Sequence, residues 1–227
     1  MGGNETTMEE WANLLAGRQT RRGESVAEIL ARERRRAAES AKRREEERAG
    51  EVAIGVDVAR YGADRTAICV RRGDRVLEIK AYHREDTMNT TGRVVVAIRE
   101  HNPVAVWVDV VGVGAGVVDR LKELGHRQVQ GINGGSRPSK PDMYLNLRAE
   151  LYDGLRWRFE NDRIRIPNDP ELIGQMAAVR YEFTSAGQLQ IESKDVLASR
   201  GLPSPDKADA LALCFAQVRR ERFGILG

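Results

Sequence analysis

The sequence predicts an α/β domain: a mixed sheet of five or more strands flanked by helices, with a helical extension at its N-terminus. Three observations predict it. Short apolar runs of strand length recur along residues 51–221 and alternate in the later part with helix-length amphipathic segments. The first three runs are joined by turn-sized connections, whereas the later ones are separated by whole helical crossovers. The first fifty residues carry almost no apolar stripe.

Those fifty residues form a charged helical arm or linker, with helices expected at about 7–17 and 25–48. Ser25-Val26-Ala27-Glu28 is a capping-box pattern, and Gly50 is a plausible stop. Only Val26, Ile29 and Leu30 are large and apolar in the second helix; its acidic and basic residues nearly cancel, which favours a solvated arm over a DNA-contacting one.

From Glu51 the texture is globular. Strands are expected at about 52–58, 65–71 and 75–82, the last two joined by the turn Arg72-Gly73-Asp74. A helix at about 90–101 shows Val94, Val95 and Ile98 on one face and ends at Asn102-Pro103. Strand 104–109 follows. The bend Gly112-Val113-Gly114-Ala115-Gly116 opens a helix to about Leu124, and a strand covers 128–132. Asn133 to Asp142 is an exposed loop. A helix at 143–161, a strand at 163–166, a helix at 169–179, a hairpin at 180–193 and a final helix at 205–221 complete the domain, with 222–227 as a tail.

Composition sets limits. A 41% hydrophobic chain of 227 residues builds one core of ordinary size plus an extension. The net charge of +3 permits nucleic-acid binding without indicating it. Cys69 and Cys214 sit in apolar runs as core residues with no disulfide framework, which suits a reducing compartment. His83, His101 and His126 show no ligand spacing. No apolar run approaches the roughly 20 residues of a membrane span, so no membrane partner is expected. The N-terminus is not signal-like.

The chemistry lies in four aspartates. Side chains alternate faces along a strand, so Ala53, Gly55 and Asp57 share one face, and Ala105, Trp107 and Asp109 share the matching face of another strand. If the two strands are parallel neighbours, both carboxylates meet at the carboxyl edge of the sheet, where open α/β sheets place their sites. Ser204 and Pro205 open the last helix as N-cap and first residue, and Asp206 and Asp209 share one of its faces. Carboxylates in apolar runs are costly unless paired or metal-bound. Oxygen-only ligands suit Mg²⁺ or Mn²⁺, and four such groups suit two ions about 3.5–4 Å apart, the arrangement for phosphodiester hydrolysis. Asp206 by itself is also explained by the helix dipole.

At these residues the chain resembles the nuclease domain of phage terminase large subunits. The similarity spans about 51–220. It is carried by Gly55-Val56-Asp57-Val58-Ala59-Arg60-Tyr61-Gly62, by Val108-Asp109 with its glycine bend, by Asn146-Leu147-Arg148-Ala149-Glu150-Leu151-Tyr152, by Ile191-Glu192-Ser193-Lys194-Asp195 and by Arg200 to Leu211. The resemblance implies an RNase H-like fold related to the RuvC-type resolvases, with metals on Asp57, Asp109 and one or both of Asp206 and Asp209. It implies a Mg²⁺- or Mn²⁺-dependent endonuclease that cuts concatemeric double-stranded phage DNA in the bacterial host cytoplasm. The implied partners are a terminase ATPase domain or subunit, a small terminase subunit and the portal. The alternatives are a structure-selective resolvase and a non-catalytic packaging module. No Gly-x-x-x-x-Gly-Lys-Ser/Thr is present, so the chain is expected not to hydrolyse ATP and to be an excised domain, a split subunit or a phage remnant.

Other basic residues are candidates for DNA phosphates: Arg137 and Lys140 on the exposed loop, and Lys194 and Lys207 beside the cluster. Arg148, Arg156 and Arg158 are expected on a solvent face, Trp107 in the core, and the hairpin at 180–193 beside the site.

Overall fold

The computed structural model describes residues 28–29, 31–36, 38–39, 42, 50–59, 65–83 and 86–216. The chain divides into two compact units, Met1–Ala49 and Gly50–Gly227. In the first, the described residues are helical and, apart from the half-buried Ile29, exposed. The expected helix at 7–17, the Ser25 cap, residues 60–64 and the chain beyond 216 lie outside the described residues.

The second unit is built on a five-stranded sheet: β1 (Val52–Asp57), β2 (Arg65–Arg72), β3 (Arg75–His83), β4 (Ala105–Asp109) and β5 (Val129–Ile132). Their spatial order is β3-β2-β1-β4-β5. β1–β2 and β2–β3 are antiparallel, and β1–β4 and β4–β5 are parallel. This is the expected split between hairpin-linked and crossover-linked strands, because a short turn can only reverse the chain whereas a helix returns it in the same direction.

β1 is buried on both faces. Val52, Ile54 and Val56 pack with Val106 and Val108 against α1 (Thr87–His101) and α2 (Gly114–Glu123), through Val94, Ile98, Val117 and Leu121. The opposite face of the sheet, with Ala67 and Cys69, carries α3 (Leu147–Glu160), α4 (Pro170–Ala178) and α6 (Asp206–Cys214). Trp107 is buried there with Ile132 and Leu213. A separate two-stranded hairpin pairs β6 (Tyr181–Phe183) with β7 (Leu189–Ile191). Among the described residues no helix is long and apolar enough to cross a membrane.

Side-chain caps move several boundaries. Asp86 accepts from Asn89 N at 2.6 Å, so α1 begins ahead of the expected residue 90. Asn102, at φ 46°, ends that helix as a left-handed cap. Asn146 accepts from Ala149 N at 3.0 Å and starts α3 at Leu147 rather than 143. Ser193 caps a helix that was not expected, α5 (Lys194–Ser199). In α6 the cap position belongs to Pro205 rather than Ser204, with no side-chain cap bond.

The strand expected at 163–166 is not formed. Only Arg165 pairs, in an isolated bridge to Arg75, with Val76 N donating to Arg165 O and Arg165 N to Asp74 O, both at 2.8 Å. Asp162 at φ 58° precedes this point and Pro167 follows it without an N–H, so extended pairing is confined to one residue.

Gly55 explains how closely α6 approaches β1. A Cβ on Gly55 would collide with Ala210 O and Cys214 N, backbone atoms of α6 that would have to shift. Gly55→Ala is therefore expected to lower the unfolding free energy by at least about 2 kcal/mol, measured by urea denaturation.

Candidate metal centre

Val56 pairs with Val108 across the parallel β1–β4 ladder, so Asp57 and Asp109 follow at equivalent positions on the carboxyl edge of the sheet. α6 lies against the small-residue face of β1, where Cys214 Sγ donates to Ala53 O at 3.3 Å, and this docking carries Asp209 to the same edge. Asp57, Asp109 and Asp209 line one cleft of about 480 Å³, together with Lys194, Arg148 and Tyr152. Asp57 is 3% exposed and Asp209 8%.

Asp206 has other hydrogen-bond partners. Its Oδ2 accepts from Arg65 N at 3.1 Å and Arg65 Nε at 3.3 Å, and Arg65 also pairs with Glu171. Asp206 is buried and does not line the cleft.

Asp209 is the most heavily bonded carboxylate of the cleft. Its Oδ1 accepts from Arg148 Nε at 3.2 Å, Arg148 Nη2 at 3.1 Å and Tyr152 Oη at 2.7 Å. Its Oδ2 faces Lys194 Nζ at 3.3 Å, and the same ammonium lies 3.3 Å from Asp57 Oδ2. Asp109 Oδ1 accepts from Val111 N at 3.0 Å, which closes the bend after β4.

Burial pushes the Asp57 carboxyl from 3.8 up to about 8; Lys194 opposes the rise, and Asp209, Asp109 and Asp206 add to it. Burial likewise raises Asp109, against the Val111 N–H and Lys194. Burial lowers Lys194, but Asp57, Asp209 and Asp206 more than offset this and hold its ammonium above the ordinary lysine range.

The donor set fits a divalent cation. All three carboxylates offer oxygen, and a cation, the Lys194 ammonium, already sits between two of them. The ligand atoms are not drawn to contact spacing. Among the described residues, the trio of metal-ligating side chains with ligand atoms all within 4.8 Å is Glu78, Glu100 and His101, elsewhere on the domain. The Lys194 ammonium bridges Asp57 and Asp209 and offsets the repulsion between their carboxylates.

The remaining candidates divide. Arg137 and Lys140 are exposed on the loop after Gly134 and Gly135, which line the cleft. Lys207 is buried, and its Nζ donates to Asp169 Oδ2 at 2.6 Å and pairs with Glu171 at 2.8 Å. Arg148 is not on a solvent face but turns into the cleft, and Arg158 lies 4.6 Å from the Phe215 ring; Arg156 is exposed as expected. Arg148 and Tyr152 were missed as site residues. Their i, i+4 spacing on the helix face that also buries Leu155 was the available signal.

No protein-family model and no curated protein sequence matches this chain. Solved structures do. The nuclease domain of the large terminase subunit gp2 of bacterial virus Sf6 superposes with a TM-score of 0.68 at 20% identity, over 74% of this chain and 89% of that one. A variant of the Sf6 domain with manganese and beta-thujaplicinol gives the same values. The large terminase nuclease of thermophilic phage G20c with bound magnesium aligns with a TM-score of 0.59 at 18% identity, over 74% and 82%. The chain thus has the RNase H-like fold of these domains, as the resemblance implied.

The raised Asp57 carboxyl gives a stability test on the metal-free protein. Between about pH 4 and pH 8 the folded state keeps a proton on Asp57 that the unfolded chain has released, so stability falls as pH rises through that window. Asn does not titrate. In chelator, the stability advantage of Asp57→Asn is therefore expected to grow from about pH 4 to about pH 8 and then level off. Urea midpoints for both proteins across that range check it.

Proposed function

We propose that this chain is a Mg²⁺- or Mn²⁺-dependent endodeoxyribonuclease that cuts double-stranded phage DNA concatemers during genome packaging. One observation carries the reading: Asp57, Asp109 and Asp209 share a cleft at the carboxyl edge of a parallel strand pair, on the fold of terminase nuclease domains.

Asp57, flanked electrostatically by both other aspartates, would together with Asp109 and Asp209 hold the divalent ions. Two such ions supply an activated water nucleophile and stabilise the charge that develops on the phosphate and leaving oxygens. The cleft's own residues do the rest. The three carboxylates fix the positions of the cations, and Tyr152 and Arg148 hold Asp209 in place. Lys194, which pairs with Asp57 and Asp209, would be the ammonium positioned beside the cleft to meet a DNA phosphate. Arg137 and Lys140 extend the phosphate contacts along the loop beside the cleft. Asp206, expected beside Asp209 as a ligand, accepts from Arg65 at the start of β2, so this reading gives the third ligand position to Asp209. In this reading the chain works in the host cytoplasm with a motor ATPase domain or subunit, the small terminase subunit and the portal.

Supercoiled plasmid with Mn²⁺ tests the proposal. Asp57→Asn and Asp209→Asn are each expected to slow cleavage by at least about 100-fold, since each removes a charge from ions that contribute several kcal/mol to the transition state. Asp206→Asn is expected to lower thermal stability with a smaller effect on rate. Undiminished cleavage by Asp57→Asn would sink the reading. Cutting of four-way junctions far above linear duplex would replace it with a resolvase.

A further inference from the structure

We propose that Arg148 and Tyr152 set which divalent cation the cleft accepts, by confining Asp209 to a single coordinating oxygen. The inference rests on the metal-dependent reading above and deepens it.

Three donors converge on Asp209 Oδ1: Arg148 Nε at 3.2 Å, Arg148 Nη2 at 3.1 Å and Tyr152 Oη at 2.7 Å. A carboxylate oxygen has about two lone-pair sites, so Oδ1 is saturated. Oδ2 faces only the displaceable Lys194 ammonium, at 3.3 Å, among the described contacts. The donors themselves are held. Arg148 Nη1 donates to Glu192 O at 2.8 Å, and its guanidinium lies 4.9 Å from the Tyr152 ring. Tyr152 is buried in α3, one helical turn from Arg148. A rotation of Asp209 that offered both oxygens to an ion would break all three bonds and strand a buried phenol and guanidinium.

This arrangement discriminates between cations. Ca²⁺ prefers about six to eight oxygens, with bidentate carboxylates common, whereas Mg²⁺ takes a near-octahedral set at about 2.0–2.1 Å and is satisfied by single carboxylate oxygens. An aspartate limited to Oδ2 suits the smaller ion and withholds a ligand from the larger. Arg148 and Tyr152 are thus positioning residues acting through Asp209.

The test is calorimetric titration of the full chain with MgCl₂, MnCl₂ and CaCl₂, for the parent, Tyr152→Phe and Arg148→Lys. Tyr152→Phe keeps the ring and the local charge, and Arg148→Lys keeps the charge but loses the fork. Both are expected to weaken Mg²⁺ and Mn²⁺ binding by about tenfold while Ca²⁺ binding holds or strengthens, so that the Ca²⁺-to-Mg²⁺ preference shifts about tenfold towards Ca²⁺. Equal changes for all three ions in Tyr152→Phe, or none, would overturn the proposal while leaving the nuclease reading intact. Absence of Mg²⁺ and Mn²⁺ binding to the parent would overturn both. If Arg148→Lys fails to fold, Tyr152→Phe alone decides.

Discussion

The burial of α6 along its whole length governs the architecture of this domain. All nine of its residues are buried, including Asp206, Lys207 and Asp209. A buried charge is tolerated only with a partner, so docking this helix obliges the rest of the domain to supply three sets of counter-groups. Arg65 from β2 answers Asp206, and Asp169 and Glu171 answer Lys207. Arg148, Tyr152 and Lys194 answer Asp209. The first two sets fasten α6 to its neighbours. The third opens onto a cleft, and there the same compensation becomes a site.

The docking depends on the small face of β1. Gly55 allows the α6 backbone to touch the strand, and Cys214 Sγ bonds to Ala53 O and Cys69 O. This contact sets the distance between Asp209 and Asp57. The resulting concentration of negative charge is relieved by a proton on Asp57 and by the Lys194 ammonium between the carboxylates. Three carboxylates gathered at one edge are costly to bury, and the proton and the ammonium are what offset that cost.

Lys194 is delivered to the cleft by a short chain of contacts. Glu192 accepts from Arg180 N at 2.7 Å and from Arg200 Nη1 at 2.6 Å, which ties the base of the hairpin to the end of α5. Its backbone carbonyl binds Arg148. The hairpin, α5 and the α3 residue that holds Asp209 thus meet at Glu192, beside the carboxylates.

Much of this was legible in the residues alone. Alternation along a strand is a property of covalent geometry, so the parity that puts Asp57 and Asp109 on matching faces was readable without a fold, as was the shared helix face of Asp206 and Asp209. The choice between those two was not. Asp206 turns to Arg65 and Asp209 to the cleft because of what packs around each, and no spacing rule encodes a partner 141 residues away. The same holds for Lys207, drawn to α4, and for Arg148, drawn inward by Asp209. The expected strand 163–166 did not form and the unexpected helix Lys194–Ser199 did, for a related reason: pieces so short form or dissolve according to a bridge or a cap rather than their own propensity. Local periodicity determined which carboxylates stand at an edge. Only the packed structure, where each buried charge must find its counter-group, decided which of them face the cleft and what holds them there.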